Sequence, residues 1–210
     1  QVWLVNQREW TNRRRERTDF DDELIQQRTR EVRDGDTLRL ERRWNYTYNS
    51  DNKETNLLLE RWNGFEWENL SRKISTYNGA GNLSVQVLQF WFQEDWRNIR
   101  RRGWEYQSEN TGNFFVEKTQ VQMWSVEEEA WINQLQQTFD YEDGRWAESL
   151  FSAWDENQEA WLNDDRMLYH YDENNHPDGQ TLQRWNGAWE NAGRANFSFA
   201  DSSFLSNIQQ

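Results

Sequence analysis

Two sets of residues in this chain have types and spacing that could do chemistry. The first is Asp172-x-Asn174-x-His176-x-Asp178-Gly179, where oxygen donors recur at alternate positions as they do in a calcium loop. Asp172, Asn174 and Asp178 are its candidate Ca2+ ligands. The run lacks a closing bidentate acid and Pro177 interrupts it, so the competing reading is an enlarged turn held by Asx hydrogen bonds. The second set is tryptophan, of which there are 15. Trp62, Trp67, Trp91, Trp96, Trp124, Trp131, Trp154 and Trp161 are candidate platforms for sugar faces. The competing reading makes them the packing of a chain with few aliphatics. With no Cys, thiolate nucleophiles, disulfides and thiolate metal sites are excluded, and His170 and His176 are the only histidines. Carboxylates are plentiful, but a glycosidase pair joins residues distant in sequence and spacing singles none out. No catalytic residue is assigned, and no cofactor beyond the calcium option.

Composition narrows the partners. Aromatics are 16% of the chain, the hydrophobic total is only 35% and the mean hydropathy is -1.24, so apolar packing must come from a few large rings. A net charge of -13 argues against nucleic acid as a partner. Residues 1–48 hold 11 basic and 10 acidic side chains, against 13 and 27 in the rest. Arg13, Arg14, Arg15 and Arg17 therefore read as alternating strand faces among acids, not as a polyanion site. No segment approaches the ~18 apolar residues of a membrane helix, so the chain reads as not membrane-spanning. Starting at Gln1 without a leader, it reads as a segment of a larger protein.

These residues are positioned by a repeat. Anchors fall at Trp10, Leu38, Trp67, Trp96, Trp131, Trp161 and Trp189, mostly 28 to 30 residues apart, with one interval of 35. Asn stands two places after six of them, at Asn12, Asn69, Asn98, Asn133, Asn163 and Asn191. Five places on is Arg in six copies (Arg15, Arg43, Arg72, Arg101, Arg166, Arg194) and Gln136 in the fifth. Ten places on is always an aromatic: Phe20, Tyr48, Tyr77, Tyr106, Tyr141, Tyr171 or Phe199. A column without exception marks a repeat protein.

Each copy reads as a long strand from the anchor to the Tyr/Phe column, a turn rich in Asn, Asp and Gly, and a shorter return strand ending in a second Trp. The second Trp and the next anchor flank a short loop, as in Trp62/Trp67, Trp91/Trp96 and Trp3/Trp10, and should clamp it as a cross-strand pair. Strict alternation predicts that the anchor, the Asn and the tenth-place aromatic share one face, with Arg on the other. Leu57, Leu59, Leu88, Phe90, Val121, Met123, Phe151 and Leu182 should oppose the Trp face, implying a sheet that curls over itself or is covered. Glu127-Glu128-Glu129-Ala130 is too short for more than one helical turn. The expectation is one all-β domain over residues 1–210. Its form would be an antiparallel meander of about fourteen strands in seven hairpins, twisted, curled or superhelical.

The pattern W-x-N-x-x-R-x-x-Y-x-Y-D-x-x-G-N, followed by a strand ending Q-x-W-x-G-x-x-W, resembles the hairpin repeats of large secreted Bacteroidota proteins. Trp67–Trp91 and Trp161–Trp189 carry it best, and it spans residues 3–204; the second copy departs from it, lacking the Trp and the Asn. It is distantly similar to the YD repeats of Rhs-type shells and to the aromatic hairpins of choline- and glucan-binding modules. The resemblance implies an extracellular, surface-associated, non-enzymatic protein of the type nine secretion kind, whose partners are other subunits or domains of a surface assembly. Asp36-Thr37-Leu38 also resembles an O-glycosylation site of that phylum. A structural or adhesive role is the expectation, with a polysaccharide-binding module as the alternative and an accessory domain of a hydrolase as a remote third.

Overall fold

The structure is a computed structural model that describes the backbone of residues 2–4, 9–11, 14–108, 114–200 and 204–209, and the side chains of 14–107 and 114–197. The rings of Trp3, Trp10 and Phe199, the side chain of Asn12 and the turn at 110–113 lie outside the described residues.

The described residues form strands joined by turns, with no helix. β1 (Val2–Leu4) and β2 (Glu9–Thr11) pair with Trp3 opposite Trp10. The remaining strands are β3 (Arg14–Asp21), β4 (Leu24–Asp34), β5 (Thr37–Tyr48), β6 (Glu54–Trp62), β7 (Trp67–Tyr77), β8 (Leu83–Phe92) and β9 (Asp95–Ser108). After them come β10 (Phe114–Ser125), β11 (Ala130–Glu142), β12 (Arg145–Asp155), β13 (Ala160–Tyr171), β14 (Pro177–Trp185), β15 (Trp189–Ala200) and β16 (Phe204–Gln209). Strands β3 to β16 lie side by side in sequence order, an antiparallel meander whose two end strands do not pair with each other, so the order does not close as a barrel's would. The chain divides into two compact units, residues 1–101 and 102–210.

Turn chemistry follows the sequence. Asp143 and Gly144, both at positive φ (50° and 74°), make the two-residue turn between β11 and β12 that Asp-Gly favours. Gln93 and Glu94 take the same left-handed region (50° and 62°) without a residue suited to it. The Glu127–Glu129 run is a hairpin turn, with the Glu128 amide donating to Ser125 Oγ at 3.2 Å.

The expected face assignment is overturned, and the cause is a β-bulge that recurs in register. The β4–β5, β6–β7, β10–β11 and β14–β15 ladders each slip by one residue, leaving Glu41, Leu70, Gln134 and Ala192 as the extra residues. The β12–β13 ladder slips at the same place, opposite Asp164 and Asp165. In every case the slip falls between the Asn and Arg columns. An extra residue inverts the alternation beyond it. Arg therefore joins the Trp and Asn face, and the tenth-place Tyr moves to the opposite one. A second slip near each Tyr places an extra residue on the return strand, at Gln26, Thr55, Ser84, Ala147 and Asp178. Thr55 and Ser84 turn their hydroxyls onto the cross-strand carbonyls of Thr47 and Thr76 (3.1 Å each).

Among the described residues no hydrophobic side chain is buried; the buried ones are Thr29, Glu31, Glu60, Ser75, Thr119, Ser149 and Ser152. The tryptophans accordingly do not form an enclosed core. Most of the described ones sit half-buried on the surface of a sheet, packed against one another, against other rings and under cations. Leu57, Leu59, Phe151 and Leu182 do oppose the Trp face as expected, since they pair with Tyr46, Trp44, Gln137 and Met167 on the Tyr side of their strands.

Candidate functional site

The Trp clamps form as expected. Trp62–Trp67, Trp91–Trp96, Trp124–Trp131, Trp154–Trp161 and Trp185–Trp189 meet edge to face, with centroids 5.0–5.3 Å apart. Each such contact stabilises by ~0.5–1.5 kcal/mol beyond burial. The candidate ligand rings are thus paired within their own hairpin loops. Several also carry a guanidinium from the preceding repeat: Arg43 over Trp67 at 4.7 Å, Arg72 over Trp96 at 4.4 Å and Arg166 over Trp189 at 4.6 Å. The bulge is what brings Arg to that face.

A column that the periodicity reading missed holds those arginines in place. Glu60, Gln89, Gln122, Ser152 and Gln183 each stand two residues before a return strand's Trp, as in Glu60-Arg61-Trp62 and Gln89-Phe90-Trp91, and Glu31 holds the same place before Arg33 in the first copy. Arg43 makes a bidentate pair with Glu60 (2.7 and 2.9 Å), while Arg72 and Arg166 donate to Gln89 and Gln183 at 2.6 Å. Arg15 pairs with Glu31, and this bond holds the Glu31 carboxyl below its ordinary value. On the other side the glutamines reach the Asn column: Gln89 to Asn98, Gln122 to Asn133 and Gln183 to Asn191, at 2.7–2.8 Å. These Asn side chains accept from side-chain amides of the preceding return strand. Arg, Gln, Asn and Trp therefore form one polar-aromatic tie between successive hairpins. Repeat five lacks the Arg–Gln pair of that tie, with Gln136 opposite Ser152.

The Tyr column makes a second tie on the opposite face. Tyr48, Tyr77, Tyr141 and Tyr171 donate their hydroxyls to the carbonyls of Ile25, Glu54, Val116 and Trp146, at 2.8–3.0 Å. Each carbonyl lies two residues past the last paired residue of its ladder (Gln27, Asn56, Lys118, Glu148). The phenol thus supplies a donor where the backbone has stopped supplying one. Burial pushes the Tyr48 phenol above its ordinary value. Three of these rings are covered by the residue next to the carbonyl: Lys53 over Tyr77 (5.6 Å), Phe115 against Tyr141 (4.9 Å) and Arg145 over Tyr171 (5.0 Å).

The calcium candidates fall in a turn with a repeat-wide role. Asp172 Oδ1 accepts the amides of Asn174 and His176, both at 2.8 Å, and these bonds, that of His176 first, hold its carboxyl below the ordinary value. Asn49 Oδ1 accepts the amides of Asp51 and Lys53, and Asn78 Oδ1 those of Ala80 and Asn82, in the same position after Tyr48 and Tyr77. A neutral amide does the same work there, so the Asx turn accounts for the spacing. Asp178 lies apart from it, as the extra residue of the β13–β14 bulge. Among the described residues no group of three or more His, Cys, Asp or Glu could hold a metal ion.

Depressions lie on the Tyr face of residues 102–210, two of them among apolar and aromatic side chains. One, of 520 Å³, runs over Val121, Leu135, Phe151, Met167 and Leu182 with Arg102 at its rim. The other, of 400 Å³, is bounded by Phe114, Phe115, Tyr141, Arg145, Trp146 and Tyr171.

No protein-family model and no curated protein matches the chain. Among solved structures, it is similar to a Bacteroides fragilis protein of unknown function over 60% of this chain and 91% of that one (15% identity, TM-score 0.46). It is also similar to DUF3836 family proteins from Bacteroides vulgatus and Parabacteroides distasonis. The first match covers 58% of this chain and 91% of that one (14% identity, TM-score 0.31), the second 43% and 87% (19%, 0.31). These neighbours are Bacteroidota proteins.

Proposed function

We propose that the chain is a non-enzymatic structural array of a secreted or cell-surface bacterial assembly, where it joins or presents other protein components. One observation carries the reading: the functional groups of the repeat columns are engaged by the adjacent hairpin. The Arg fork, the Gln amide, the Asn carbonyl, the Trp pair and the Tyr hydroxyl each have a partner in the same or the next copy. Such a chain behaves as a one-dimensional stack whose stability is the sum of nearest-neighbour terms. It lends itself to spanning and presenting, with length set by copy number. The type nine secretion route belongs to this proposal and rests on the motif resemblance.

Protease shaving of intact producing cells, followed by peptide mass mapping, tests the location; recovery of these peptides only after lysis overturns it. Deleting one whole period, residues 67–95, should leave a shorter folded array. Collapse of the remaining hairpins would contradict a nearest-neighbour stack. Turnover by the purified chain on any polysaccharide or peptide substrate would overturn the non-enzymatic part.

A further inference from the structure

The repeat accounts for most aromatic residues of residues 102–210, but not for Phe114 and Trp146. Trp146 stands where β4 and β6 have Ile25 and Glu54, a position whose shared role in the repeat is its backbone carbonyl, which accepts the Tyr hydroxyl. Both rings are 48% exposed, and together they border the 400 Å³ depression. Trp146 is nevertheless fixed. It lies between Phe139, stacked at 6.1 Å, and Tyr169 at 5.5 Å, and its indole N–H donates to the Tyr141 hydroxyl at 3.0 Å. A large ring held in one orientation while exposed loses little entropy when a ligand covers it.

We infer that this depression is a carbohydrate site for a neutral pyranoside, with Trp146 and Phe114 as stacking surfaces and Arg145 as a hydroxyl-binding donor. The ligand class follows from what the site disfavours. Residues 102–210 carry 20 acidic and 6 basic side chains, a field that repels polyanions. Arg145 inside the depression already covers the Tyr171 ring, bonds Asn175 and lies 3.6 Å from Asp143, so its guanidinium takes the place over that ring that a cationic ligand such as a quaternary ammonium would need. The hollow is open and shallow, unlike the enclosed pocket that an acyl chain fills. What remains is an uncharged molecule with apolar C–H faces and hydroxyl edges. The guanidinium has five N–H donors, enough to serve Asn175, Asp143 and a sugar hydroxyl together. The clamp tryptophans take no part, and the site stands whether or not the array is structural.

Fluorotryptophan-labelled chain, followed by fluorine NMR with the Trp146 resonance assigned through W146F, is titrated to roughly millimolar probe, the weak-binding range. The probes are cellohexaose, xylohexaose, mannohexaose, maltohexaose and chitohexaose, with hexagalacturonate and choline chloride as charged counterparts. The expected result is a shift of the Trp146 resonance, leaving that of Trp62 in place, with at least one neutral oligosaccharide. W146A and, separately, F114A should weaken that binding on the order of tenfold. Phe114 lies at a strand start, so F114A tests the site even if W146A disturbs the fold. No response to any neutral probe overturns the assignment, as does a response to the charged probes alone or unchanged affinity in F114A.

Discussion

Removing the guanidinium of Arg72 tests the inter-repeat tie most directly. Arg72 is half-buried, lies 4.4 Å over the Trp96 ring and donates to Gln89 Oε1 at 2.6 Å. The ring contact of a half-exposed cation stabilises by ~1 kcal/mol. The charge-assisted bond contributes about 1.5 kcal/mol, of which water at a half-exposed glutamine restores part. Arg72→Met keeps the apolar stem and should cost about 2 kcal/mol. Urea unfolding followed by far-ultraviolet circular dichroism reads this as a lower midpoint. The ring's share is isolated by a cycle of R72M, W96L and the double variant, with an expected coupling of about 1 kcal/mol. A coupling under ~0.3 kcal/mol, within the additivity error of unconnected sites, would show that the guanidinium and the indole act independently and refute the tie between them.

Tyr77→Phe leaves the Glu54 carbonyl without its donor and should cost about 1 kcal/mol, with faster amide exchange where β6 and β7 stop pairing. The double variant Q136R/S152Q installs in repeat five the pair that Arg72 and Gln89 make in repeat three, facing Trp161, and should raise stability by about 1–2 kcal/mol in urea. Q136R alone should gain less. Glu94→Gly relieves a left-handed non-glycine residue in the β8–β9 turn and should stabilise by about 1 kcal/mol, read as a higher melting temperature. Glu31, Glu68 and Asp172 have lowered folded-state values, so their contribution is present above the unfolded values (4.5 for Glu, 3.8 for Asp) and lost as pH falls below them. Thermal melts should therefore weaken below about pH 4.5, and less steeply in E31Q.

The sequence by itself determined the period, the hairpins, the Trp clamps and the all-β meander. Each depends on residues close in the chain: a Trp on either side of a short loop is brought opposite its mate by the turn alone, as with Trp62 and Trp67. Asn49, Asn78 and Asp172 likewise carry their own turn chemistry, and the Asp172 run could be read as a turn before any coordinates. The Glu/Gln-x-Trp pattern of Glu60, Gln89, Gln122 and Gln183 was equally visible, but its use follows only from Arg sharing its face. Only the tertiary structure decided which face that was. The bulge residues Glu41, Leu70, Gln134 and Ala192 have no type in common, and none sits at positive φ. A bulge of ordinary backbone conformation selects no particular side chain and so leaves no mark in the sequence. Yet a single extra residue inverts everything beyond it, setting Arg on Trp and turning Tyr to the opposite side.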